Sequence, residues 1–466
     1  MNYNSQFNAT FNHQKILKTY GLLNESNKNI DYFQILTLSS YKLGLKTSIS
    51  QFYGHTVAFF RVQLVRLLLL FAVFILLGSD LNIAFAASIN VKNESELQAA
   101  IDVANNSGGN TTILLSDGLY TLTDTLYVNV SNVTISSASG NRDNVIVEGD
   151  AMSANAKVKL LFRVTGSGFK LNGVTLRKSG WHLVQIVGES NADSPEITNC
   201  RMQDAYEQLM KVSIDQNNLN TASDNGLVEN CIFEYTAGIG PQYYIGGIDI
   251  HGGKNWVIRK NSFRNIISPD TSIAEHAIHI WNSSADNLVE KNLIVNCDRA
   301  IGFGLGDRGN SGGIIRNNMI YHAANKGTFA DVGILIENSP NTSIYNNTIV
   351  MDHDYPRSIE FRFAGTTNTM IRNNLTNKNI TGRDGASGTV SNNITSASRD
   401  WFVNVTDGDL HLSSEISNVV DQGVQISGLS DDFDSQIRPL GSGIDIGADE
   451  YSSVASPLPP TNIRVE

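Results

Sequence analysis

The sequence predicts an all-β chain, a right-handed parallel β-helix (a single-stranded solenoid) with an N-terminal capping helix. Three observations predict it. A short segment recurs along most of the chain at intervals of 19–31 residues. Each recurrence holds at least two short alternating strands joined by turns. None contains an amphipathic helix of roughly ten residues, which argues against a leucine-rich or βαβ arrangement.

The recurring segment reads LVENCIF (227–233), VIRKNSF (257–263), LVEKNLI (288–294), IIRNNMI (314–320), SIYNNTI (343–349) and MIRNNLT (370–376). Each has an apolar pair, two polar residues, a small polar residue and a further apolar position. Aligned, they place Cys200, Cys231, Asn261, Asn292, Asn318, Asn347, Asn374 and Asn393 in one column, spaced 31, 30, 31, 26, 29, 27 and 19 residues apart. A second apolar strand belongs to the same repeat: GIDIHG, AIHIWN, AIGFGLG, GILIEN and IEFRFAG. One coil cannot bury its apolar face alone. Stacking coils at about 4.8 Å makes a continuous core. The Asn column then forms a ladder, because each amide both donates and accepts. Cys200 and Cys231 share that column and are expected as reduced thiols within it. Three cysteines make no disulfide framework and no CxxC metal spacing.

The ends of a solenoid need sealing. At the N-terminal side, SELQAAIDVANN (95–106) offers Ser95 as helix N-cap, an apolar stripe of Leu97, Ile101 and Ala104, and Gly108-Gly109 as the stop. At the other end DLHL (409–412) and RPLGSGIDIGADEY (438–451) break the period. Residues 452–466 read as a Pro/Ser-rich tail.

Composition bounds the rest. Hydrophobic residues make up 41% and charged residues 17%, which is not a disordered composition. Of the 466 residues, 87–451 are expected to form one long repeat domain. The net charge is −11; residues 1–86 carry +4, so the remainder carries −15. That disfavours sequence-independent nucleic-acid binding, while a locally basic groove for an anionic polymer stays compatible with it. Arg61 and Arg66 precede the apolar run Leu67–Leu77, and Ala84-Phe85-Ala86 follows as a cleavage site. Residues 61–86 are thus expected to be a signal peptide cleaved after Ala86. The released chain would be secreted or periplasmic, monomeric, and without a stable membrane span. Residues 1–60 read as a non-native or disordered extension, from a start site placed too early. The alternative is a genuine cytoplasmic extension with 67–77 as part of an anchor.

SELQAAIDVAN followed by ILLSDGLYTL resembles the N-terminal pattern of chondroitinase-B-type and alginate lyases. RPLGSGIDIGADEY is similar to the closing segment of uncharacterised secreted β-helix proteins. Residues 88–451 thus resemble the right-handed parallel β-helix (pectate-lyase-like) superfamily of secreted bacterial proteins, which includes lyases, hydrolases, epimerases and non-catalytic surface proteins. The lyase resemblance implies a Lys and an Arg in neighbouring central coils, often with calcium nearby. No such pair is recognisable here, and no polygalacturonase-type Asp motif occurs.

Strand alternation sorts residues in and out. Inward Ile248, Ile250, Ile278, Ile280, Phe303 and Leu305 leave an outer strip. In chain order it carries Lys211 and Asp215, Asp249 and His251, His279 and Trp281, then Gly302, Gly304 and Gly306 as a bare floor, Glu337, and Glu360 with Arg362. Trp suits stacking on a pyranose and Gly permits close approach. The expected partner is a polysaccharide, an acidic glycan lying along the axis.

For β-elimination on a uronate polymer, a base removes the C5 proton, a cation neutralises the carboxylate and an acid protonates the leaving oxygen. His279 or Lys211 is expected as base. Arg308, or a cation held by Asp249 and Glu337 with Ca2+ as the candidate, would neutralise the carboxylate. Tyr243 or Tyr244 would be the acid. Asp249, His251, Trp281, Glu337, Glu360 and Arg362 would bind substrate. The alternatives are a non-catalytic surface or carbohydrate-binding β-helix, and a glycoside hydrolase or uronate epimerase. The bland readings make Asp249 and His251 loop anchors, Tyr243 and Tyr244 loop packing, and His276 a turn residue. Likewise His322 packs after its strand, and Arg299, Asp307 and Arg308 form ordinary loop ion pairs.

Overall fold

The computed structural model describes residues 87–452. The extension 1–60, the expected signal peptide 61–86 and all of the tail beyond Ser452 lie outside the described residues. Among those described, no helix is long and apolar enough to cross a membrane.

The chain winds as a right-handed parallel β-helix of three parallel sheets, with 12, 10 and 10 strands. One coil shows the plan. Leu227–Glu229 lies in the first sheet, Ile232–Glu234 in the second and Gly246–His251 in the third. Each strand pairs in parallel with its equivalents one coil away. Inward positions therefore stack into columns. Ile197, Val228, Ile258, Val289, Ile315, Ile344 and Ile371 form one, in register and fully buried. Met210, Ile248, Ile278, Ile301, Ile334 and Ile359 form another in the third sheet. Each such side chain contributes roughly 1.5–3 kcal/mol by leaving water. Phe233 and Phe263 stack at 4.8 Å and 9°, so aromatic rings follow the strand spacing itself.

The Asn column is a hydrogen-bonded ladder. From Asn261 to Asn374, each side-chain Nδ2 and backbone N–H both donate to the Oδ1 of the next member, over 2.9–3.1 Å. Cys231 N–H enters the ladder on Asn261 Oδ1 at 2.9 Å, and Cys200 N–H lies 3.3 Å from Cys231 Sγ. All three cysteines are free and buried. The residue before each rung, from Asn199 to Asn392, has φ between 49° and 56°. This explains the Asn-Asn pairs. The first Asn tolerates the left-handed turn between the first and second sheets, and the second builds the ladder.

Helix α1 spans Glu94–Ser107 and buries Leu97, Ala100, Ile101 and Ala104 in the main core. Its N-cap is Asn93, not Ser95. Asn93 Oδ1 accepts the Glu96 N–H at 2.9 Å, while the Glu96 carboxylate reaches back to the Lys92 N–H at 3.0 Å. The cap sits two residues earlier because Glu96 then falls at the position where it can answer it. Gly108, with φ 81°, ends the helix.

A second correction concerns the period-breaking C-terminal segments. They pack along the outer face of the second sheet, where Val295, Met319, Tyr321 and Val350 meet Phe402, Leu410, Leu412, Val419 and Ile446 in a second core. DLHL pairs antiparallel with Phe402–Asn404. The charged residues of RPLGSGIDIGADEY go inward. Arg438 donates to Glu450 at 2.5 Å and to the Gly447 carbonyl at 2.8 Å, with its side chain fully buried. The motif is thus a buried ion pair holding a flap, and its charges would otherwise be costly to bury.

Candidate functional site

The third sheet lines up Lys211, Asp249, His279, Gly302, Leu335 and Glu360 in one register row. His251 pairs with Trp281, and Glu337 with Arg362. Adjacent members lie about 4.8 Å apart, so groups on neighbouring coils share one reaction space.

Asp249 is the hub. It accepts from the Lys211 ammonium, from Trp281 Nε1 at 2.7 Å, and lies 3.3 Å from His251 Nε2. Lys211 Nζ also reaches His251 Nε2 at 2.8 Å. Burial works against charge on both members of the pair. Lys211 and the neighbouring His251 and His279 nevertheless hold Asp249 well below the usual carboxylate range. Asp249 in turn, with Tyr244 and Glu275, holds Lys211 above the usual lysine range. Lys211 is therefore an ammonium at neutral pH, and its side chain keeps 13% exposure.

His279 lies deeper, at 1% exposure. Its Nε2 is 3.4 Å from the Gly304 carbonyl, and its Nδ1 faces Glu275 Oε2 at 3.5 Å and Asp249 Oδ1 at 3.8 Å. Burial pushes its imidazole below the ordinary range, so at neutral pH it is uncharged. Trp281 is stacked on it at 4.9 Å and 6°, with His251 against the indole at 4.4 Å. The Arg308 guanidinium carbon lies 4.1 Å from the Trp281 ring centroid. Leu305 and Arg308 exchange backbone hydrogen bonds in a tight turn, which aims that exposed side chain back over the sheet. Trp281 is thereby 7% exposed, its ring already covered.

Four expectations change here. The glycine floor is not bare: a Cβ at Gly302 would lie 2.6–2.7 Å from the His276 ring, which occupies that space. His276 is not a turn residue. It opens the strand His276–Trp281 at 1% exposure, with its ring 4.6 Å from that of His279. Two residues three apart should alternate across the sheet. Both rings nonetheless lie together on the outer side, where Gly302 leaves the space that the His276 ring fills. Leu305 belongs to the turn after the strand and is only partly buried. Finally, Asp249 and Glu337 are not brought together as a cation pair. Glu337 belongs to another group, where it accepts Arg362 at 2.9 Å and the Gly306 N–H at 2.7 Å.

The strip is therefore two clusters. In the second, Glu360 is ringed by Tyr355 at 2.7 Å, Arg383 at 3.2 Å and Arg357 at 3.3 Å, and Arg362 also pairs with Asp384 at 2.9 Å. Leu335 and Gly302 separate it from the Asp249 group. Tyr243 and Tyr244 stand exposed in the loop beside Lys211. Asp215 caps its own turn through the Asn217 N–H.

Sequence reasoning missed Glu275 altogether, and it set His276 and Arg299 aside. The signal was present as EHAIHIW, two imidazoles and a carboxylate in five residues. What hid it was the loop before the strand. Asp298 is fully buried and accepts the Ser268 and Ala274 amides at 3.0 and 3.1 Å, which fixes the loop that delivers Glu275. Burial raises the Asp298 carboxyl to about 6.

No protein-family model matches the chain, and no curated protein matches it in sequence. Among solved structures, an alginate lyase from Paenibacillus sp. str. FPU-7 is similar at 15% identity and TM-score 0.45, over 66% of this chain and 100% of that one. Pectate lyase Pel9A is similar at 15% identity and TM-score 0.44, over 80% and 98%. A mannuronic acid specific polysaccharide family 6 lyase from human gut microbiota is similar at 12% identity and TM-score 0.42, over 66% and 79%.

Proposed function

We propose that the outer face of the third sheet binds an acidic glycan and that the chain is a polysaccharide lyase acting by β-elimination on uronate residues. The observation that carries this reading is the Lys211–Asp249–His251 group, set beside exposed Arg308, Tyr243 and Tyr244. Two cations meet there with a paired carboxylate and a phenol. This supplies charge for a uronate carboxylate, a nitrogen base and a proton donor, the three needs of the reaction. Arg308 leaves Trp281 to meet the carboxylate. Lys211, better exposed than His279, takes the C5 proton once its ammonium has lost a proton to solvent. Tyr244 protonates the leaving oxygen.

A base that rests as an ammonium works at alkaline pH. With Lys211 as base, activity rises as pH climbs above neutrality. With His279, which is neutral and below its ordinary range, activity is already full at neutral pH. The test is ultraviolet absorbance of unsaturated uronate from alginate, pectate, chondroitin and heparin-type polymers, with and without Ca2+. Product on one polymer, abolished in Lys211→Ala and rising with pH, supports the reading. No product on any polymer overturns it for those substrates.

A second reading, a β-helix that binds glycan without cleaving it, is favoured by the depth of His279 and the covered face of Trp281. Retention of the polymer on immobilised protein without product would select it. Export through residues 61–86 belongs to both readings and is tested by N-terminal sequencing of secreted protein.

A further inference from the structure

We propose that Glu275, His276 and His279 bind a transition-metal ion of the Zn2+ class. One ligand atom from each lies within 4.8 Å of the other two. His279 Nδ1 and Glu275 Oε2 are 3.5 Å apart, close to the separation of about 3.4 Å between donors on a tetrahedral ion with 2.0–2.1 Å bonds.

Each side chain is short of a partner in the way a ligand would be. His279 Nε2 faces the Gly304 carbonyl, which only accepts, so that nitrogen carries the proton. Nδ1 then turns a lone pair toward two carboxylates. A backbone carbonyl on the far ring nitrogen is the usual way a ligating histidine is held. His276 is 1% exposed, and neither of its ring nitrogens has a hydrogen-bond partner among the described residues. Glu275 Oε2 likewise accepts no hydrogen bond. Leaving an imidazole nitrogen buried and unbonded carries a desolvation cost that nothing offsets, and coordination to an ion removes it for the nitrogen that binds. The space is also built: Gly302 lacks the Cβ that would strike the His276 ring.

Two imidazoles and one carboxylate select the ion. Ca2+ takes six to eight oxygens, whereas Zn2+ and its neighbours take N and O donors with four-fold coordination. Three protein ligands leave one position open. Glu275, with 23% side-chain exposure, is the entry side. Asp249 Oδ1 lies beyond His279 as an outer carboxylate. Arg299, 3.8 Å from Glu275 Oε2, is drawn back by its bond to the Ala274 carbonyl at 2.9 Å. The inference does not need the lyase reading, and its test uses no glycan.

The full chain is stripped with a chelator and titrated with Zn2+ against a chromophoric competitor. Co2+ is used for its visible spectrum and Ca2+ as a control. One equivalent of Zn2+ is expected, with an intense tetrahedral-type Co2+ spectrum and no competition from Ca2+. His276→Gln and Glu275→Gln should each weaken binding at least tenfold while melting close to the parent. Equal binding by parent and variants, or a weak octahedral-type Co2+ spectrum, would overturn the proposal and leave a histidine–carboxylate cluster held by packing. If a variant fails to fold, the parent's Co2+ spectrum and stoichiometry decide alone.

Discussion

Trp281 donates its indole N–H to Asp249 Oδ1 over 2.7 Å, so the largest ring on the outer face serves the carboxylate that holds Lys211. A hydrogen bond to a buried charge is worth about 1.5–3 kcal/mol. Trp281→Phe keeps a ring against His279 but removes the donor. It should lower the urea-unfolding free energy by roughly 2 kcal/mol. A loss under about 0.5 kcal/mol would mean that the bond is not formed in solution.

The ladder makes a graded prediction. Asn318→Ala strips the acceptor from two donors of Asn292 and removes three bonds donated by the side-chain amide. All of it is buried, so the expected cost is at least about 3 kcal/mol. Asn393 ends the ladder and is only partly buried, so Asn393→Ala should cost less than half as much. Equal costs measured by thermal or urea unfolding would contradict a cooperative stack.

Lys260 is exposed and holds φ 56°, in a column where most rungs place Asn. Asn enters that region with little penalty, unlike longer side chains. Lys260→Asn should therefore stabilise the protein by about 0.5–1 kcal/mol. Lys291 has the same φ, but its ammonium binds Asp431 and Ser435 of the C-terminal flap. Lys291→Asn should show no gain. Differential scanning calorimetry of the two variants separates backbone conformation from side-chain pairing.

The C-terminal flap should be pH-sensitive. Burial opposes charge on His411, but bonds to Asp409 at 2.6 Å and Asp434 at 2.9 Å raise it to about 11. A group raised on folding adds stability that is complete below its unfolded value near 6.5 and is lost as pH rises toward 11. Proteolysis of the flap should accelerate between pH 7 and pH 10. That slope should flatten in His411→Asn, and an unchanged slope would assign it to other groups.

Much of the fold was legible because a coil is a local object. Apolar alternation places Ile248, Ile278 and Ile301 inward whatever their neighbours do, and the Asn column announces its own stacking. The candidate site was legible only in part. Lys211, Asp249, His251, His279 and Trp281 fall on one face by alternation, and the structure brings them together. Glu337, Glu360 and Arg362 share the face, but Glu337 pairs with Arg362, Arg362 also with Asp384, and Glu360 with Arg357 and Arg383, which alternation cannot foresee.

The winding, the ladder, the buried columns and the side of the sheet on which the polar residues gather are written in the chain itself. These follow from a period of two along a strand and a repeat along the chain. The folded chain alone brings His276 against His279, because Gly302 on the next coil leaves room for its ring. It alone decided that Arg308 covers Trp281, and that Arg438 and Glu450 bury each other to hold the C-terminal flap on the second sheet. Arg308 and Trp281 are 27 positions apart and Arg438 and Glu450 are 12 apart, each pair joined by a loop of irregular length for which no periodicity exists to be read.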